Sequence, residues 1–396
     1  MAKLDTLGIS QLLIYDGYVA AEIGRRTREK LDHLTPKVNQ KQFAEKLEMT
    51  TDALSRSLSG KRAFTAVELV RAAAVLGTSA HWLVTGEPDP FAVKVAGRQT
   101  FDHAAKLHSP LDWSSVDDVI SNLALAYLQV YSAPAAGLVS RVPGSALEAR
   151  DALHRAFEGD VIRHLSEATE TAFGVDVVRV GEFRDGLAME VVGRSAIVVG
   201  ETGNWFFENW SIAHELGHIA HDDLSEFGTA ACDDRVAERA ANAFAAELLL
   251  PDDLLRSEPW SVMETPALAR FIWSSGVSTQ ALQNRLSKLG IGSSAAVVSG
   301  LSMNTQALLR RSGIFRDESS DLITERMRAA SSRRFPEHLL SAHGDAVSEG
   351  RIGASVLAWM LGVPAAELDE QLAPPIETNV DVDELAIQLG LVDPST

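Results

Sequence analysis

Two hydrophobic periods run through this chain. Residues 175–180, 186–192 and 195–199 are short runs rich in Val, broken by Gly and Asp, and they predict strands of a small sheet. Most of the remainder repeats its apolar positions at helical spacing. Over residues 40–47, Phe43, Ala44 and Leu47 share a face behind an Asn39-x-x-Gln42 cap. A break at Glu48-Met49 precedes a second short helix over 51–58, opened by Thr50 and stopped at Ser59-Gly60. Thr65-Ala66-Val67-Glu68 is a capping box for a third helix that ends at Gly77. Residues 112–173 read as mostly helical, with a Pro/Gly interruption at 133–144. Residues 268–290 read as two short helices about a turn. Residues 334–365 again carry helical spacing, with Trp359, Met360 and Leu361 as core or partner contacts, and 376–384 is an acidic surface segment. The pattern predicts a mainly α chain with a small β-sheet (α+β).

One predicted helix, residues 210–221, carries chemistry. It holds His214-Glu215-Leu216-Gly217-His218. Residues four apart lie on one helical face, so His214 and His218 can aim their imidazoles at one metal ion. Glu215 sits about 100° round the helix, placed to take a proton from an attacking water without being a ligand. The expectation is zinc-assisted peptide hydrolysis.

A catalytic zinc keeps three protein ligands and one open position. Residues 233–251 read as one helix, acidic at its start, Ala-rich and closed by Pro251. Glu238, Ala241, Asn242, Ala245 and Leu249 share a face whose small residues allow close approach of the motif helix. Glu238 is therefore the expected third ligand, and Glu247, off that face, is expected as surface charge. His221 lies seven residues after His214 on the same face. Three roles stay open for it: a ligand, an electrophile or support for a ligand, and a helix-terminal His against the last carbonyls. Arg239 is the other candidate electrophile, since Tyr15, Tyr18, Tyr127 and Tyr131 all precede the strands. Cys232 is the only cysteine, which excludes an intrachain disulfide and suggests a cytoplasmic chain. It is either a redox or inhibitory contact to the metal or a small buried hydrophobe.

His-Glu-Leu-Gly-His, followed some twenty residues later by Glu238-x-x-Ala241-Asn242-x-Phe244-Ala245-x-Glu247-Leu248-Leu249-x-Pro251, resembles the ImmA/IrrE metallopeptidases. The resemblance implies zinc on His214, His218 and Glu238, with Glu215 as general base. It also suggests a stress- or mobile-element-linked switch in which a repressor protein is cleaved.

The amino-terminal helices form a second signal: two short helices about a tight turn, then a third, read as helix-turn-helix. Gln40-x-x-Phe43-Ala44, then Leu54-Ser55-x-x-Leu58-Ser59-Gly60-Lys61-Arg62, then Leu76-Gly77-Thr78-Ser79-x-x-Trp82-Leu83, resembles the XRE repressor-like family over residues 18–87. That resemblance implies that the second helix of the motif enters the major groove. Thr51, Asp52, Ser55 and Arg56 are then base-reading candidates, with Asp52 suited only to a cytosine amino group. Gln40, Lys61 and Arg62 would clamp phosphates. A small helical module kept for protein contacts is the plainer alternative.

Charge divides the chain in the same way. Residues 1–90 hold twelve Lys/Arg and eleven Asp/Glu, whereas the whole holds 36 and 54. The acidic body would be repelled by DNA, leaving contact to the head, and it argues against a nuclease. No run of about twenty apolar residues suggests a membrane span. The expected organisation is a five-helix DNA-binding domain over 1–90, a helical linker over 91–170, a zincin-like metallopeptidase domain over 171–300 and a helical region over 301–396. Expected partners are a DNA operator, a protein substrate or repressor partner, no membrane, and a second copy as a homodimer. The competing expectation is an antitoxin-like binding protein whose zinc is structural or sensory.

Overall fold

The computed structural model describes residues 6–96, 99–102, 107–110, 113–131, 142–227, 235–315 and 321–372. It is mainly helical with a small sheet, as the hydrophobic periods predict. Cys232 and the acidic segment 376–384 lie outside the described residues.

Five helices form the head: α1 (Thr6–His33), α2 (Gln40–Lys46), α3 (Thr51–Leu58), α4 (Ala66–Leu76) and α5 (Ala80–Thr85). Their ends are set by local chemistry. The Asn39 side chain accepts from Gln42 N at 2.9 Å, and the Gln42 side chain accepts from Asn39 N at 3.0 Å. Between α2 and α3, Glu48 takes φ 55°, a left-handed turn that a non-Gly residue adopts only when packing on both sides holds it. Thr50 then caps α3 through Ala53 N at 3.2 Å. Phe43, Leu47, Leu54 and Leu83 are fully buried in a core of the head's own residues.

After the head come β1 (Lys94–Val95), the hairpin β2 (Gln99–Asp102) and β3 (Leu107–Pro110), and the helices α6 (Trp113–Val130), α7 (Ala146–Ala156) and α8 (Leu165–Phe173). Three predicted strands follow as β4 (Asp176–Val180), β5 (Gly186–Val191) and β6 (Arg194–Gly200). The chain continues through α9 (Trp205–His221), β7 (Ser225–Glu226) and α10 (Arg235–Leu249). The sheet order is β4-β6-β5-β1-β7, with β4 and β6 parallel and the other neighbours antiparallel. Every residue of β4 is buried, so Val177, Val178 and Val180 do not alternate with solvent-facing residues, and the two charged residues of the strand are buried with partners, Asp176 with Tyr127 and Arg179 with Glu208. Its outer edge is closed by Arg334, whose backbone exchanges hydrogen bonds with Arg179 at 2.9 and 3.0 Å.

Helices α11 (Asp252–Ser257), α12 (Thr265–Ser275), α13 (Thr279–Lys288), α14 (Ala295–Leu301), α15 (Thr305–Ser312) and α16 (Leu322–Ala329) complete this unit. Its main core joins Ala96, Leu153 and Phe173 to Ile212, Leu216, Leu248, Leu308 and Ile323. The segment 91–170 is therefore not a helical linker alone. It supplies three strands, and its helices α7 and α8 bury apolar faces in the core around the motif helix. That core also runs past residue 300. A second unit contains α17 (Glu337–Ser348), α18 (Ser355–Leu361) and α19 (Ala365–Leu372). In it Met360 is buried and Leu361 is exposed.

Candidate metal centre

The motif helix α9 starts five residues before the predicted 210, because Asn204 caps it through Phe207 N at 3.3 Å. Polar contacts hold its first turns. Glu208 forms a buried ion pair with Arg179 of β4, including Arg179 Nε to Oε2 at 3.1 Å. Asn209 donates to the carbonyls of Ile162 and Gly276 at 3.3 and 3.2 Å. On the far side, Gly217 faces α10 so closely that a Cβ there would stand 2.9 Å from Ala241 Cα. The small-residue face expected on α10 thus meets a glycine of α9, and this approach brings Glu238 to the two histidines.

His214, His218 and Glu238 each offer one ligand atom, and the three atoms lie within 4.8 Å of one another. His214 Nε2 stands 3.1 Å from His218 Nε2 and 3.4 Å from Glu238 Oε2, and His218 Nε2 is 3.8 Å from Glu238 Oε1. Ligands about 2.0–2.1 Å from a tetrahedral zinc are separated by about 3.3 Å, so the separations of His214 from His218 and from Glu238 Oε2 fit that ion, while the His218 distance is to the other carboxylate oxygen. The donor set of two imidazoles and a carboxylate fits it as well.

Two supports were not among the residues expected from the sequence. Asp222 closes α9 in a left-handed conformation, and Asp223 then turns back so that its Oδ1 lies 2.8 Å from His218 Nδ1. A carboxylate on the remote nitrogen fixes the ring and leaves Nε2 for a metal. Burial pulls the His218 pKa down, but the bond to Asp223 and the nearby carboxylates outweigh it, and the net shift is upward. The other support is Ala188 of β5, whose backbone N–H donates to Glu215 Oε2 at 2.8 Å. Burial raises the Glu215 pKa, against the lowering influence of His214 and His218. An Asp five residues after the second His was the available signal for Asp223. Nothing local points to Ala188, which is 27 residues from Glu215.

Three site expectations change. His221 is exposed at the last residue of α9, with its ring 5.9 Å from that of Phe244 and outside the ligand group. Arg239 is also exposed and donates to Arg235 O of its own helix at 2.9 Å, which turns its guanidinium to the surface. Glu247 is not simple surface charge. It forms an ion pair with Arg285 and accepts from Asp252 N at 3.3 Å, tying α10 to α13. Arg285 is correspondingly buried and donates to Leu250 O at 3.1 Å. Among the tyrosines, Tyr127 is buried and donates to Asp176 at 2.6 Å, and Tyr131 lies against the guanidinium of Arg194.

In the head, Gln40, Thr51, Asp52, Ser55, Arg56 and Lys61 are all exposed around α3. Arg62 is half-buried instead, with both terminal nitrogens 2.8 Å from the Glu68 carboxylate and one 2.9 Å from Ser57 Oγ. Its charge is already answered within the head.

A helix bearing two histidines and a glutamate, a third carboxylate from the next helix and a sheet behind them define a metallopeptidase-like domain. Residues 194–287, which contain all four of these side chains, match the M78 peptidase family model, described as the IrrE N-terminal-like domain. No curated protein and no solved structure matches the chain. The matched segment begins at β6 and does not reach the head.

Proposed function

We propose that this chain is a DNA-binding regulator whose body is a zinc-dependent metallo-endopeptidase, cleaving a repressor, a partner protein or its own chain. The observation that carries the peptidase reading is the convergence of His214, His218 and Glu238 beside a buried Glu215. When bound by those three side chains, zinc polarises the scissile carbonyl and acidifies water. Glu215 takes the proton of the attacking water and delivers it to the leaving amine. Its raised pKa suits that shuttle, and the Ala188 N–H holds one carboxylate oxygen while Gly186, lacking a Cβ, leaves room for the other. Asp223 keeps His218 oriented throughout.

The DNA-binding part rests on the short α2–turn–α3 arrangement, on six exposed polar residues around α3 and on the resemblance of residues 18–87 to XRE repressors. An operator of two half-sites and a homodimer follow from that resemblance, while the stress or mobile-element role follows from the resemblance to the ImmA/IrrE metallopeptidases and the cytoplasmic location from the single cysteine. No described helix is long and apolar enough to cross a membrane.

One observation favours a second reading. Glu215 is only 2 % exposed and satisfies a backbone N–H of β5, a task that a structural carboxylate also performs. On that reading the zinc is structural or sensory and the chain is an antitoxin-like binding protein. Zinc content and cleavage of co-encoded proteins, measured on wild type and Glu215→Gln, separate the two. One zinc per chain in both, with cleavage by wild type only, is the expected result. Zinc in both with cleavage by neither would favour the structural or sensory reading.

A further inference from the structure

Beside the metal centre lies an open groove of about 850 Å³. None of the three ligands lines it, but on both helices its nearest lining residues, Trp210 and Asn242, stand one turn from a ligand. On α9, Phe207 and Trp210 line the groove and extend the stripe of His214 and His218 at spacings of three and four. On α10, Asn242 and Ala246 line it, one and two turns beyond Glu238. The opposite wall is built from α13 and residues 301–306.

The composition of that wall is unlike the rest of the chain. None of the twenty lining residues is Asp or Glu, although the chain has 54 acidic residues against 36 basic. Seven of the twenty are Asn or Gln. A carboxamide carries both a donor and an acceptor, as a peptide unit does; Asn204, Asn242, Gln280, Asn284 and Asn304 each use one side-chain atom within the chain and keep the other for a bound main chain. The charges present are Arg285 and Lys288. Arg285 is spent on Glu247, whereas Lys288 is exposed at the last residue of α13.

We infer that this groove binds the substrate polypeptide beside the scissile bond, and that it selects a segment with an acidic side chain opposite Lys288. The inference rests on the peptidase reading for its position and extends it to a substrate class. An apolar side chain packs on Phe207 and Trp210, the main chain runs along the Asn and Gln residues, and one carboxylate meets the ammonium. A lone exposed Lys is a point charge that discriminates the sign of one side chain. The net negative charge of the chain disfavours acidic peptides in general, and the absence of carboxylates among the lining residues lowers that penalty along the groove.

The test is selection from a random decapeptide library on the full chain bearing Glu215→Gln, which binds without turnover. Enriched peptides are then measured by fluorescence anisotropy beside twins with the acid replaced by Lys. The expected result is enrichment of Asp or Glu at one fixed distance from an apolar residue, with the Lys twins weaker. Lys288→Glu should lower the affinity of the acidic peptide about fivefold, the scale of an exposed ion pair. Gln283→Trp, an exposed change on the wall, should reduce binding of acidic peptides and twins alike. Absence of acidic enrichment, or enrichment indifferent to both substitutions, overturns the inference. The underlying peptidase reading is scored separately by adding the enriched peptides to wild type. Charge-selective binding without cleavage keeps the groove and removes the peptidase, and cleavage of peptides lacking the acid does the reverse.

Discussion

His218 is the most enclosed of the three proposed ligands, and Asp223 accounts for how it can be buried and still oriented. A buried imidazole with a free remote nitrogen would be able to turn or flip; the 2.8 Å contact from Nδ1 to Asp223 fixes it. Asp223→Asn keeps the size of the side chain and removes its charge. It should weaken zinc binding about 10–100-fold while leaving far-ultraviolet dichroism unchanged. Competition with a chromophoric chelator measures this, and unchanged affinity would make Asp223 only a helix-end contact. The chemistry of His214, Glu215, His218 and Glu238 was legible because their spacing on two helices is a local property. Asp223 was within reach of the same reasoning, at the turn after the motif. Ala188 was not, because a backbone N–H has no residue signature and reaches Glu215 only once β5 lies against α9.

At the level of elements, the site depends on how closely α9 and α10 approach. Gly217 lies opposite Ala241 backbone atoms, which cannot swing aside as a flexible side chain would. Gly217→Ala raises intrinsic helix propensity yet should destabilise the body by about 1–3 kcal/mol, because the helices must separate. Zinc affinity should fall with it, since Glu238 moves away with α10. A urea midpoint equal to or above that of wild type would show that the helices accommodate the methyl. The caps of α2, α3 and α4 were readable in the sequence because capping residues act within four positions. The role of Glu247 was not. Its helical position suggested solvent, and only the arrival of Arg285, 38 residues later, gave it a charged partner.

At the scale of the molecule, the head and body have separate apolar cores and different charge. Residues 1–90 are near neutrality and the remainder carries the net negative charge, so DNA affinity is expected to come from few cations. With a duplex selected from a random pool, Lys61→Ala should weaken binding on all sequences and lower the salt slope by about one. Arg56→Ala should cost about 1–3 kcal/mol on the selected duplex and little on others. Equal losses on every sequence would make Arg56 a phosphate contact, and no binding by wild type would leave the head as a protein-contact module.

What the chain determined by itself was local: helix faces, caps, the strands of β4 to β6 and the ligand spacing, all of which act over a few residues. The fold decided what depends on residues far apart. It drew β1 from before residue 100 into the sheet, packed α7 against α10 and α8 against β4 and the motif helix, and closed the edge of β4 with Arg334. It also turned Arg239 and His221 outward, and joined Phe207, Trp210, Asn242 and Lys288 along one groove beside the proposed zinc site. Burial and pairing of this kind are set by packing, and sequence separations of tens to more than a hundred residues leave no periodic trace of it.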